Sequence, residues 1–192
     1  RAAMARVASA LHGEPGQRLR LGGVTGTNGK STTAFLVRHL LRSAQVHCGL
    51  LGTIEYDLGG RVLEAPLTTP DALELFAYLK DMADGGCAAA IMEVSSHSLV
   101  QRRVEGLEYS VAVFSNLTQD HLDFHRTMEQ YRDAKGLLFA ALTKKAEAIL
   151  NFDDPIGQYY ARRTQAQVIG FSMTGHKQAD LRAQILAMDI HG

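Results

Sequence analysis

The chain has 192 residues, 46% of them hydrophobic and 21% charged, and its 20 Lys and Arg balance 20 Asp and Glu. That length and mix suit one globular domain with its own core. A formal charge of zero gives no reason to expect nucleic acid or an anionic membrane as a partner, and no apolar run reaches the roughly 18 residues of a membrane span.

The opening RAAMARVASAL holds arginines and small residues but no long apolar centre, so it does not read as a signal peptide. RLRLGGV (18–24) reads as a short apolar strand running into GVTGTNGKSTT (23–33). A helix is expected over 32–44, with Phe35, Leu36, His39, Leu40 and Ala44 at helical spacing. VHCGLLGT (46–53) reads as the next strand. EYDLGGRVLEA (55–65) places Gly59-Gly60 between two alternating arms, a hairpin signal. In 67–86, Thr69 is read as a helix cap, Pro70 as the first helical position and Gly85-Gly86 as the end. CAAAIMEV (87–94) is a buried strand ending in a carboxylate, 95–106 a short helix and turn, and YSVAVFSNL (109–117) a further strand. A helix over 127–142 puts Met128, Tyr131, Ala134, Lys135 and Leu138 on or near one face. Strands at 146–151 and 167–172 flank a helix at 154–163, and 180–190 reads as the opening of another strand. Cys48 and Cys87 read as two buried free thiols of a reducing compartment, with a disulfide or metal pair as the alternative.

Apolar strands alternating with helical patterns imply an α/β fold: one doubly wound, mainly parallel sheet plus a small hairpin. Ligands bind such sheets at the carboxyl ends of the strands. Four polar motifs fall there: the 23–33 loop, Thr68-Thr69, the run Glu93 to His97, and Asn116 to His125.

The loop has the ending of a phosphate-binding P-loop, G-x-x-x-x-G-K-[ST], in Gly29, Lys30 and Ser31, but Val24 stands where the first glycine belongs. Backbone N–H groups at a helix start would cradle an anion, Lys30 would reach the outer phosphates and the Ser31 hydroxyl would meet Mg²⁺. The competing reading is a glycine-rich turn before a helix. Glu93, ending an apolar strand, suits a Mg²⁺-holding carboxylate, against a plain strand-end carboxylate. Asp120-His121-Leu122-Asp123-Phe124-His125 is dense in donors. Imidazole is an unusual Mg²⁺ ligand, so a transition metal or a capping cluster before the next helix both stand. For Lys135, the residues alone favour a snorkelling side chain over a buried one. Gln101, Arg102 and Arg103 could grip an acidic substrate, one or two of them being plain surface residues.

Taken together, GVTGTNGKSTT, LTTPD, MEVSSHSLVQRR, SNLTQDHLDFH and YRDAKGLLF, in this order and spacing, closely resemble the central domain of the Mur ligases, best of all the MurE type. The resemblance covers about residues 12 to 172. TGTNGK is shared with folylpolyglutamate synthases, whereas EVSSH followed by NL-x-x-DHLD-x-H is far more specific. The resemblance explains Val24, since this family's loop lacks the usual first glycine. It implies that Gly26, Thr27, Asn28, Gly29, Lys30, Ser31 and Thr32 hold ATP. Lys30, Glu93, His121 and Lys135 are implied as catalytic. Ser31 and Glu93 would hold one Mg²⁺, and Glu93, His121 and an N6-carboxylated Lys135 would hold or support a second. Thr68, Thr69, Ser95, Gln101 and Arg103 are implied to bind the substrate, a UDP-N-acetylmuramoyl dipeptide. An Asn often precedes the Thr pair in the family; here it is Leu67, and that contact is not carried over.

The implied activity is ATP-dependent amide ligation of a free amino acid to the dipeptide through an acyl phosphate, in peptidoglycan synthesis. The implied setting is a cytoplasmic monomer. The chain has no initiator Met and ends IHG just after an apolar run. The expectation is therefore a piece of a longer protein: 1–20 the end of a linker from a preceding domain, and 21–192 an ATP-binding central domain cut at its C-terminal end and inactive alone. Two other readings are a folylpolyglutamate synthase-like ligase, which the loop permits, and a nucleotide-binding module that no longer catalyses.

Overall fold

The computed structural model describes residues 2–186. Among them, nine strands form one sheet in the order β4-β3-β2-β5-β1-β6-β7-β8-β9. The strands are β1 (Arg20–Thr25), β2 (Cys48–Leu51), β3 (Glu55–Asp57), β4 (Val62–Glu64), β5 (Ala89–Glu93), β6 (Tyr109–Phe114), β7 (Glu147–Asn151), β8 (Gln167–Ser172) and β9 (Leu181–Arg182). From β2 across to β9 every pairing is parallel; β3 and β4 add an antiparallel hairpin at one edge. The chain places β5 on one side of β1 and β6 on the other, so the loop leaving β1 opens into the crevice where such sheets bind ligands.

The helices are α1 (Ala2–Leu11), α2 (Lys30–Ser43), α3 (Ala72–Asp84), α4 (Ser96–Val100), α5 (Leu122–His125), α6 (Met128–Ala140) and α7 (Pro155–Ala161). Alternation along the central strands feeds two cores on opposite faces. Ala89 and Ile91 of β5 join Val24, Ala34, Cys48 and Leu50 beneath α2. Ala90 and Met92 point the other way, into a larger core with Leu75, Phe76, Phe139 and Tyr160 from α3, α6 and α7. The doubly wound fold expected from the sequence is the fold observed. Residues 2–11 form a helix packed on α3, with Ala5 and Ala8 fully buried.

Local readings change in four places. On α2 the inward positions are Ala34, with Phe35, Val37 and Leu41 against the core, while Leu36 and Leu40 are exposed and so is His39; the expected face was rotated by one or two residues. On α3 the N-cap position is Asp71, not Thr69, because the Thr69 hydroxyl is bonded to the next strand instead. Between β6 and α6 the chain forms the one-turn α5, which the donor-rich motif had concealed. The strand expected from 180 to 190 is short, β9 covering two residues, and 187–190 lie outside the described residues.

The hairpin is tied to α2 by charge. Arg38 bonds Glu55 at 2.8 Å and Asp57 at 2.7 Å, and Arg42 reaches Asp57 at 3.0 Å. Cys48 and Cys87 are buried free thiols. Burial, reinforced by the neighbouring Cys87, pushes the Cys48 thiol up to about 11. Among the described residues no helix is long and apolar enough to cross a membrane.

Candidate functional site

β1 continues through Thr25, so Val24 belongs to the strand. Its side chain is buried in the core beneath α2, a place where a glycine would leave a hole. The loop proper starts at Gly26, whose φ of 149° and tight surroundings explain its identity: an added Cβ would overlap Ser115 Oγ and come within 3.1 Å of the Asn116 backbone. Gly29, at φ 84°, turns the chain into α2.

The end of β6 braces this loop. Asn116 accepts from the Thr27 N–H through its carbonyl (2.8 Å) and from the Asn28 N–H through Oδ1 (3.0 Å). Ser115 Oγ donates to the Asn28 carbonyl at 2.6 Å, and the Thr118 N–H donates to Thr27 Oγ1 at 3.0 Å. Two loop amides are thus already committed within the protein. The first-turn amides of α2, which have no intrahelical acceptor, remain as the anion-facing set, beginning at Lys30 and Ser31. The Lys30 ammonium folds back onto the Gly26 and Thr27 carbonyls at 3.0 and 2.9 Å, and burial holds it below the usual lysine range.

Strand register sets Glu93 opposite Val24, beside the loop. Its carboxylate is fully buried, with Oε1 accepting from the Thr53 N–H at 2.9 Å and Oε2 from the Thr53 hydroxyl at 3.0 Å. A buried anion with two neutral donors and Lys30 as its nearby charge is a site a cation would fit. Gly52 makes the close approach possible, since a Cβ there would collide with Oε1.

A cleft of about 220 Å³ opens beside these groups, lined by Lys30, Leu67, Thr68, Thr69, Ser95, Ser96, His97, Arg103, His121 and Lys135. Thr69, 1% exposed, donates to the Glu93 carbonyl (2.8 Å) and accepts from the Ser95 N–H (3.1 Å), so its hydroxyl is a brace between strand ends. Arg103 is aimed by three acceptors: the Thr69 carbonyl (3.0 Å), Gln101 Oε1 (2.9 Å) and Asp71 Oδ1 (3.0 Å). Those contacts use Nε and Nη1, which leaves Nη2 for a carboxylate or phosphate. Gln101 lines an adjoining hollow with Arg103, Asp71 and Leu73 rather than the cleft itself.

Lys135 is 1% exposed and lies inside α6, which overturns the snorkelling reading. Its helix faces the loop, and Nζ turns in toward that loop rather than out to solvent. Nζ donates to the Gly26 carbonyl at 2.8 Å and sits 4.6 Å from the centre of the Tyr131 ring. Burial, then the charge of Lys30, depresses it to about 7.

Around this lysine stand three imidazoles. His97 lies 4.1 Å from Phe124 and 5.1 Å from His121, centre to centre. His125 packs on Tyr131 at 5.0 Å and pairs through Nε2 with Ser96 Oγ at 2.8 Å. Burial and the neighbouring His97 push His125 down to about 4, so it is neutral. His121 is half exposed at left-handed φ 52°, with Nε2 3.4 Å from Asp120. Among the described residues no three His, Cys, Asp or Glu are grouped as a metal cage.

The structure therefore brings Lys30, Thr68, Thr69, Ser95, Arg103, His121 and Lys135 to one cleft, with Glu93 behind it and Gln101 beside it. Sequence reasoning missed Thr53 and Asp71, gave Ser96 no role of its own within the run Glu93 to His97, and set Leu67 aside although it lines the cleft; the Leu67 carbonyl accepts from the Tyr56 hydroxyl. A Gly-Thr pair at the end of the strand beside Glu93 was the available signal for Thr53.

A family profile described as the Mur ligase middle domain matches residues 24–192. A UDP-N-acetylmuramoyl-L-alanyl-D-glutamate--2,6-diaminopimelate ligase of Geobacillus kaustophilus is 46% identical over 198 residues, covering 100% of this chain and 40% of that protein. A solved structure of a ligase of the same name superposes with a TM-score of 0.79 at 33% identity, over 94% of this chain and 38% of that one. A Mycobacterium tuberculosis folylpolyglutamate synthase complexed with ADP gives a TM-score of 0.68 at 15% identity, over 90% of this chain and 47% of that one, a likeness of fold alone. The chain spans 40% of the length of the Geobacillus protein it matches.

Proposed function

The chain belongs to the Mur ligase family through its middle domain, and from that premise we propose that it is the ATP-binding part of a MurE-type amide ligase. The whole protein would join a free amino acid to UDP-N-acetylmuramoyl-L-alanyl-D-glutamate in the cytoplasm during peptidoglycan synthesis. The relatives are named for 2,6-diaminopimelate, which is the amino acid we propose. The observation that carries the reading is the single cleft in which Lys30, Thr68, Arg103, His121 and Lys135 meet.

In the first step a substrate carboxylate oxygen attacks the γ-phosphorus of ATP, and the β–γ bridging bond breaks to release ADP. In the second, the amine of the incoming amino acid attacks the acyl carbon, phosphate leaves, and the amine proton passes to solvent or a base. The first-turn amides of α2 and Lys30 would hold and neutralise the phosphates. Lys30 would leave its two loop carbonyls to do so. Arg103, aimed by Asp71, Gln101 and Thr69, would fix the substrate, and alignment of the two anions supplies much of the rate. Ser31 and Glu93 would hold one Mg²⁺, and Glu93, His121 and a modified Lys135 would hold or support a second. Bound Mg²⁺ would offset the charge on the transferring phosphoryl group.

We further propose that Lys135 is N6-carboxylated. Its neutral amine nitrogen would attack CO₂ and lose one proton, giving a carbamate anion. The depressed lysine supplies neutral amine near pH 7, and the change converts repulsion from Lys30 into attraction. A ¹³CO₂-labelled carbamate signal present in the wild type and absent in Lys135→Met would support this; its absence from the wild type would refute it.

We also propose that residues 1–20 join this domain to a preceding one, and that the chain alone holds nucleotide phosphates weakly without ligating. Normal turnover by the isolated chain would contradict that. The main test uses the full-length protein. Phosphate release from ATP should require the muramoyl dipeptide and diaminopimelate, should not be supported by a folate and glutamate, and should fall roughly hundredfold or more in Lys30→Ala. An unchanged Lys30→Ala rate would sink the ligase reading; folate-dependent release would favour the folylpolyglutamate rival.

A further inference from the structure

We propose that Thr53 is a positioning residue that orients the Glu93 carboxylate for a cation and links it to the substrate side of the cleft. The inference rests on the reading of Glu93 as a cation-holding group and concerns the residue that aims it.

Both donors of Thr53 point at Glu93: the N–H at 2.9 Å from Oε1 and the hydroxyl at 3.0 Å from Oε2. A two-point contact fixes the rotation of a carboxylate about its terminal bond, which a single donor leaves free. Each oxygen keeps a second lone pair, so a carboxylate held in this way still has ligating capacity. The approach is built into the chain. Gly52, the preceding residue, is the position at which any side chain would strike Glu93 Oε1.

Thr53 Oγ1 also lies 3.1 Å from Thr68 Oγ1. One hydroxyl proton cannot serve both acceptors. The carboxylate is the stronger, because hydrogen bonds to an ionised partner are roughly twice as strong as neutral ones. The Thr53 proton therefore goes chiefly to Glu93, with Thr68 Oγ1 as its alternative acceptor. Thr68 lines the cleft, so one side chain joins the buried carboxylate to a substrate-facing hydroxyl. Thr53 itself is exposed and in neither apolar core, so replacing its hydroxyl by a methyl disturbs no core packing.

The test measures Mn²⁺ affinity by electron paramagnetic resonance, with a non-hydrolysable ATP analogue, in the full-length wild-type protein and its Thr53→Val and Thr53→Ser variants. Unfolding temperature in metal-free buffer is followed in parallel. Loss of a charge-assisted hydrogen bond predicts Mn²⁺ binding weaker by about tenfold in Thr53→Val, recovery to within about twofold in Thr53→Ser, and cooperative unfolding above the assay temperature in both variants, the Thr53→Val transition being lowered by the lost bond. Equal affinity in Thr53→Val and wild type would overturn the inference while leaving the proposed function standing. So would a Thr53→Ser protein that binds Mn²⁺ as weakly as Thr53→Val. A full-length wild-type protein that binds the analogue without Mn²⁺ would remove the cation reading of Glu93, and this inference with it.

Discussion

Lys30 and Lys135 donate to the same acceptor, the carbonyl oxygen of Gly26, at 3.0 and 2.8 Å. Two ammonium groups on one oxygen repel each other, and burial lowers the pKa of both. Lys135, depressed to about 7, carries the sharper consequence. Between about pH 7 and its ordinary 10.5, the unfolded chain holds a proton on this lysine that the folded chain has shed. Stability must therefore rise with pH across that window, by up to about 1.4 kcal/mol per unit. Urea unfolding in CO₂-free buffer should show that rise in the wild type and a smaller one in Lys135→Met. Parallel pH profiles for the two would mean that Lys135 titrates normally.

His125 gives the opposite limb. It is 4% exposed, bonded to Ser96, and faces His97, His121 and Lys135, with Asp123 the one opposing charge. Its folded value of about 4 lies below the ordinary 6.5, so the unfolded chain binds the extra proton in that interval. Stability is complete above about pH 6.5 and falls by up to about 1.4 kcal/mol per unit as the pH drops toward 4. His125→Phe should flatten this acid limb. The check is a denaturation series on both proteins; identical acid limbs would count against a buried neutral imidazole.

The sheet, the hairpin and most of the cleft residues were legible because they depend on local pattern: alternation, a Gly-Gly turn, and polar motifs where apolar runs stop. What was not legible depends on approach between distant segments. Thr53 reads as an ordinary strand-end residue until β2 is laid beside β5. The burial of Lys135 could not be read from α6, because an inward lysine and a snorkelling one share the same spacing. What decides it is the Gly26 carbonyl, 109 positions away. Leu36 and Leu40 misled for the converse reason: they are apolar at helical spacing, yet α2 turns Ala34 and Val37 to the core.

Gly26→Ala should disable the loop. The new methyl would overlap Ser115 Oγ and crowd the Asn116 backbone, at a φ of 149° that side-chain-bearing residues rarely adopt. Ser115 and Asn116 brace Asn28 and Thr27, so the clash is relieved only by displacing the phosphate-facing segment. The expected result is a loss of about 1–3 kcal/mol in stability and a larger proportional loss of ADP affinity. Ser115→Gly added to Gly26→Ala should recover part of the stability. Calorimetric titration with ADP and urea unfolding measure both. Wild-type ADP binding by Gly26→Ala would show that the loop is not the phosphate cradle.

Asp57 tests how the hairpin is fastened. Its carboxylate is 5% exposed and meets Arg38 at 2.7 Å and Arg42 at 3.0 Å, while Oδ1 accepts from the Gly59 N–H at 2.9 Å. Removing one partner of a buried ion pair costs more than the pair contributes, because the other charge is left desolvated. Asp57→Asn keeps the shape and the Gly59 contact but removes the charge from two guanidiniums. Arg38 retains Glu55, whereas Arg42 loses its carboxylate and keeps only the Cys48 carbonyl. The expected loss is about 3 kcal/mol in urea unfolding. It should be accompanied by weaker Mn²⁺ binding, since Thr53 lies between β2 and β3 and holds its place only while the hairpin is fixed to α2. If Asp57→Asn keeps full stability, the two arginines are adequately solvated without it. If stability falls and Mn²⁺ affinity does not, the support given to Glu93 is independent of the hairpin's anchor.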